Sequence, residues 1–130
     1  MTEKMQVYKC EICGNVAEVL HSGAGELVCC GKPMKLLNEK TEDLGAEKHV
    51  PVVEITDGKM FVKVGSMPHP SEENHYIEYI EVISRDNKYI KRKYLSPGEK
   101  PELELKPRYK DFAMRAYCNL HGLWGSDYTE

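Results

Sequence analysis

Along much of the chain, apolar residues alternate with polar ones at a period of two. Asp111–Cys118 is the clearest case, with Phe112, Met114, Ala116 and Cys118 falling on one face, because successive side chains of a strand point to opposite sides. Val50–Ile55 and Met60–Val64 are β-branched runs separated by Thr56-Asp57-Gly58-Lys59, a sequence suited to a tight hairpin turn. Tyr76–Ile83 and Lys88–Leu95 repeat that arrangement around Arg85-Asp86-Asn87, and Leu103–Leu105 follows a loop with two prolines, Ser96–Pro101. No stretch carries the 3.6-residue period of a three-turn helix. Short strands with turns at near-regular intervals predict an antiparallel β-sandwich of about seven strands.

The first 37 residues follow another rule. Their apolar runs are short, and they hold four of the five cysteines. A segment below about 40 residues cannot bury enough surface to fold without a metal or disulfides. Asn38–Glu47 is polar and acidic and predicts a linker or surface loop. The expected organisation is therefore a small domain over residues 1–37 and a β domain over residues 38–130.

Composition narrows the classes. Eighteen Lys and Arg against 21 Asp and Glu in 130 residues give a formal net charge of −3, which excludes an overall basic footprint for nucleic acid. The basic cluster Lys88-Tyr89-Ile90-Lys91-Arg92-Lys93 is then expected to be a solvated strand face. No apolar run approaches the ~20 residues of a membrane helix. The N-terminal MTEKMQVYKC lacks the apolar stretch of a secretory signal, so the expected address is the cytoplasm. An odd number of cysteines in a reducing compartment argues against a disulfide framework.

The cysteines have a better use. Cys10-Glu11-Ile12-Cys13 can grip a metal from one tight turn, and Cys29-Cys30 would complete a four-sulfur site for zinc or iron. The second pair is adjacent, so its sulfurs must spread from neighbouring residues and are expected to distort the tetrahedron. A second constellation lies in the β domain: His49, His69, His75 and His121, with Cys118 three residues before His121. His69 sits between Pro68 and Pro70, and Val50 precedes Pro51, which restricts both backbones. Four imidazoles and one thiolate make five donors. That is one more than zinc usually accepts, and it favours iron with an open sixth position. His21, in a glycine-rich loop, is assigned no metal.

These motifs resemble those of the desulfoferrodoxin family, the two-iron superoxide reductases, over nearly the whole chain. The resemblance rests on Cys10-x-x-Cys13, Cys29-Cys30, Glu47-Lys48-His49-Val50-Pro51, His69-Pro70 with His75, and Cys118-Asn119-x-His121-Gly122. It implies a desulforedoxin-like N-terminal domain holding ferric iron by Cys10, Cys13, Cys29 and Cys30, followed by an immunoglobulin-like sandwich. There a catalytic iron takes His49, His69, His75 and His121 as equatorial ligands and Cys118 as the axial one. It further implies one-electron reduction of superoxide to hydrogen peroxide, a rubredoxin-like electron donor and a homodimer. Lys48, beside His49, can draw in the anion and order a proton-donating water, and Glu47 can occupy the sixth position of the oxidised iron. One departure is visible: Ala116 stands where many members carry glutamate. Two other readings remain at this point. One is a rubredoxin-like electron-transfer protein in which the four cysteines alone matter, and the other is a zinc-ribbon interaction module.

Overall fold

The computed structural model describes residues 1–42, 49–65, 71–106 and 109–130. Its strands fall into two units, Met1–Asn38 and Glu39–Glu130, and no helix occurs among the described residues.

In the first unit, β1 (Val7–Lys9) lies between β2 (Val16–Glu18) and β5 (Lys35–Leu37), while β3 (Val28–Cys29) and β4 (Lys32–Pro33) form a minimal ribbon. Strands of two or three residues bury little. Val7, Cys10 and Val19 are the unit's buried apolar side chains. A few side chains at ~1.5–3 kcal/mol each cannot offset the ordering of nearly forty residues at ~1–2 kcal/mol each. The unit therefore depends on what its cysteines bind.

The second unit carries its own core. Its strands are β6 (Pro51–Thr56), β7 (Lys59–Val64), β8 (Ile77–Ser84), β9 (Ile90–Tyr94), β10 (Glu102–Leu105), β11 (Asp111–Cys118) and β12 (Gly122–Thr129). They form two antiparallel sheets, β10-β7-β6 and β12-β11-β8-β9, the three-plus-four arrangement of an immunoglobulin-like sandwich. The alternating positions meet between the sheets. Met60, Val62 and Val64 of β7 join Leu103 and Leu105 of β10 and Ile80, Val82, Phe112, Met114, Ala116 and Cys118 of the other sheet in one buried cluster. The β6–β7 turn has positive φ at Asp57 (52°) and Gly58 (73°), the mirror-image turn that matches strand twist.

Three details differ from expectation. β12 pairs with β11 along its whole length, from Cys118↔Gly122 to Asp111↔Thr129, although Gly122 and Gly125 weaken its strand signal. β9 is shorter than Lys88–Leu95, because Asn87 turns left-handed (φ 59°) and Tyr89 is spent closing the turn onto Ser84 at 3.0 Å. In the expected linker, Lys40 pairs with Trp124 as a parallel bridge. The basic cluster is an exposed strand face as expected, with only Arg92 half-buried. Arg92 reaches the fully buried Glu81 carboxylate at 2.8 Å, with Arg115 at 3.4 Å, and Lys91 and Lys93 donate to the Glu104 and Glu102 carbonyls.

Candidate metal centres

The four N-terminal cysteines converge, with their sulfurs within 4.8 Å of one another and none in a disulfide. The Cys10–Cys13 turn closes through Gly14 N–H to the Cys10 carbonyl at 3.0 Å, with Gly14 at φ 86°. The Cys13 N–H points back at the Cys10 sulfur at 3.5 Å. The adjacent pair is resolved by the backbone. Cys29 ends β3, and Cys30 then adopts a left-handed φ of 54°, followed by Gly31 at 75°. Neighbouring side chains of a strand would diverge to opposite faces; the left-handed residue swings the second sulfur round to join the first. Cys13 and Cys29 sulfurs lie 3.5 Å apart, and Asn15 Nδ2 donates to Cys29 at 3.7 Å.

Ionisation of these thiols is uneven. Backbone N–H groups of Cys13 and Ile12 hold the Cys10 thiol down to about 6. Hydrogen bonding with Cys13 and Cys10 pushes Cys29 up, and the same neighbours push Cys30 up to about 12. The Cys10 thiolate is stabilised by its turn, while Cys29 and Cys30 are held as thiols by the hydrogen bonds they share with their neighbours. A cation amid the four sulfurs reverses that balance and lets all four bind as thiolates. The donor set fits iron or zinc.

In the second unit, His49, His75, Cys118 and His121 bring one donor atom each within 4.8 Å of the others. His49 Nε2 stands 3.1 Å from His121 Nδ1, and the Cys118 sulfur 3.8 Å from that same nitrogen. The rings of His49 and His75 meet His121 edge-on, at centroid distances of 4.9 and 5.1 Å. His49 and Cys118 are buried, His75 is half-buried and His121 is exposed. Among the described residues, the cluster is thus exposed on the His121 side. Three imidazoles and a thiolate fit a borderline transition ion such as iron. His69, Glu47 and Lys48 lie outside the described residues.

Local structure explains the convergence. Cys118 pairs with Gly122 across a three-residue loop, and Gly122 takes φ 85°, a glycine-ended hairpin that folds His121 back beside Cys118. The register of β8 slips at this point, from Tyr117↔Tyr79 to Cys118↔Ile77; such a bulge re-aims the side chain at a strand end. His75 sits in a turn closed by two hydrogen bonds with Glu72, at 2.9 and 3.1 Å. His49 stacks on Trp124 at 4.5 Å with the planes 12° apart.

One positioning residue escaped the sequence reading. Asn119 lies between the two ligands of the hairpin, and its side-chain amide clamps the residues either side of His75. Oδ1 accepts from Tyr76 N–H and Nδ2 donates to the Asn74 carbonyl, each at 3.0 Å. A signal existed, an asparagine inside Cys118-Asn119-Leu120-His121, but its recipients are backbone groups that no motif displays. Ala116 is fully buried, paired across the sheet with Trp124 and Ile80, so this position is part of the core. His21 is exposed and joins no cluster among the described residues.

Known proteins share this layout. Residues 2–37 match the family described as desulfoferrodoxin, N-terminal domain, and residues 41–127 the family described as desulfoferrodoxin. A desulfoferrodoxin from Syntrophotalea carbinolica is 58% identical over 127 residues, covering 98% of this chain and 99% of its own. A desulforedoxin from Megalodesulfovibrio gigas is 56% identical over 34 residues, 26% of this chain and 92% of its own. The solved superoxide reductase from Treponema pallidum superposes with a TM-score of 0.72 at 25% identity, covering 95% of this chain and 98% of that one.

Proposed function

The chain belongs to the desulfoferrodoxin family, and from that premise we infer that it is a superoxide reductase with two mononuclear iron ions per chain. The observation that carries this reading is the convergence of His49, His75, Cys118 and His121 in addition to the four-cysteine cluster. A rubredoxin-like carrier needs the four cysteines alone, and a zinc-ribbon module needs no second site. Iron bound at the histidine–cysteine centre supplies a one-electron reduction in which superoxide and two protons become hydrogen peroxide.

The chain's own residues divide the remaining work. His49, His69, His75 and His121 hold the ion through neutral imidazoles and Cys118 through its thiolate. Lys48 attracts the superoxide anion and orders a water that delivers a proton, and Glu47 would offer its carboxylate as a further donor to a bound ion. Support for these two roles is their place beside His49 in the sequence. Cys10, Cys13, Cys29 and Cys30 hold the second iron in a domain over residues 1–37, and residues 38–130 form the reductase domain. Each turnover consumes an electron, which calls for an external one-electron donor of the rubredoxin kind. The family resemblance supports a homodimer, and thiols gathered for metal rather than for disulfides suit the reducing cytoplasm, where the reaction would detoxify superoxide.

Stoichiometry tests the reading. With a donor present, one hydrogen peroxide should form per superoxide, with no dioxygen; half that peroxide with dioxygen released would mean dismutation and overturn it. Cys118→Ser should slow superoxide consumption by about 100-fold or more, since even residues behind the ligands cost 10–100-fold, while the four-thiolate visible spectrum stays intact. Unchanged consumption would sink the assigned centre.

A further inference from the structure

Lys40 touches the second centre from outside its ligand set. Its backbone N–H donates to the Leu123 carbonyl at 3.0 Å, and its carbonyl accepts from Gly125 N–H at 2.9 Å, which lays residue 40 beside Trp124. A Cβ at Gly125 would meet the Glu39 carboxylate, so Glu39 lies alongside this strand. The Lys40 side chain then turns toward the metal loop. Nζ donates to the His121 carbonyl at 2.9 Å and stands 5.0 Å from the centre of the Trp124 ring. Trp124 Nε1 donates to the same carbonyl at 3.2 Å, and the face of that indole lies against His49.

One ammonium thus bears on two ligands from distant parts of the chain, on His121 through its carbonyl and on His49 through the indole. Resting on the superoxide reductase reading of that centre, we propose that Lys40 is a positioning residue that holds the His121 and His49 imidazoles in the orientation iron requires. The need for one follows from the site's form. His121 is exposed at the tip of a three-residue loop, where packing alone fixes little. A carbonyl that receives one charged and one neutral donor fixes the peptide plane on which the imidazole is carried, and charge-assisted hydrogen bonds are the stronger kind. The cation over Trp124 also pins the indole that His49 rests on. Ligand orientation set from behind in this way governs metal affinity.

The test uses the full iron-loaded protein and follows release of iron to a colorimetric chelator, in which the two centres should give separate phases. Lys40→Met keeps the stem and the backbone bridge but removes the donor. The histidine–cysteine phase should run about tenfold faster, as for other groups that orient a ligand, with the four-thiolate phase unchanged and the visible band of the oxidised second centre shifted. Lys40→Arg should restore both rate and band. A lysine needed only for its backbone bridge would leave Lys40→Met like the parent, and that result overturns the proposal alone. Should Lys40→Met fail to fold, Lys40→Arg and Lys40→Gln decide: slow release with the charge kept and fast release with it lost support the role, and equal rates overturn it. Release in a single phase, from four thiolates only, overturns the reductase reading and this proposal with it.

Discussion

The two metal clusters sit on opposite sides of a bargain between fold and ion. In the first unit, all four ligands come from Cys10 to Cys30, on turns and two-residue strands with little buried apolar surface. There the ion has to be part of the fold. In the second unit, the ligands come from three separate segments, before β6, before β8 and at the β11–β12 hairpin. Each is set in place by a sandwich that already owns a core from Met60 to Cys118. There the fold precedes the ion and, among the described residues, leaves the cluster exposed on the His121 side. A staple must be saturated by its ligands; a centre that performs chemistry must not be.

The largest effect that could break this contrast is metal removal. Binding free energies of about 10–16 kcal/mol are folding free energies where no frame exists beforehand. Chelation should therefore abolish amide-exchange protection in β1, β2 and β5 while β7, β8 and β11 keep theirs. A first unit still protected without metal would erase the distinction. The next effect is smaller and confined to the second unit. Asn119→Ala frees the turn around His75 and should lower iron affinity there by about 10–100-fold, with the four-thiolate absorption unaltered; equal affinity would deny the clamp. The smallest is a pH effect at the first centre. Cys29 and Cys30, pushed up, carry protons that an entering metal must displace, so affinity rises with pH. Cys10, held at about 6 by N–H groups of its own turn, is already a thiolate above that pH and adds to proton release only as pH falls through it. Protons released on zinc titration should therefore increase below about pH 6; the same count on both sides would remove the local stabilisation of Cys10.

Much of this was legible from residue order, for physical reasons. Side chains that alternate between core and solvent leave a period of two, and Phe112, Met114, Ala116 and Cys118 show it plainly and lie in the core cluster. Metal ligands are few in kind and closely spaced, so Cys10-x-x-Cys13 and Cys118-x-x-His121 stand out. Hidden features are those carried by the main chain. The adjacent cysteines gave no sign that a left-handed Cys30 turns the second sulfur inward. β12 was obscured by Gly122 and Gly125, the first needed at positive φ for the tight loop and the second lying against the Glu39 side chain. Asn119 and Lys40 act on carbonyls and amides, which look alike under every residue letter.

The three-residue loop between Cys118 and Gly122 also sets an order in time. Cys118 and His121 follow every other ligand in the chain, so during synthesis the ribosome has already released His49 and His75 before the hairpin that completes their site exists. The four-cysteine cluster is finished at Cys30, more than eighty residues earlier. An ion captured there can settle while the sandwich is still being made, whereas the reactive centre is assembled only once β11 and β12 have paired. A nascent or interrupted chain would thus carry the four-thiolate iron without the histidine–cysteine one.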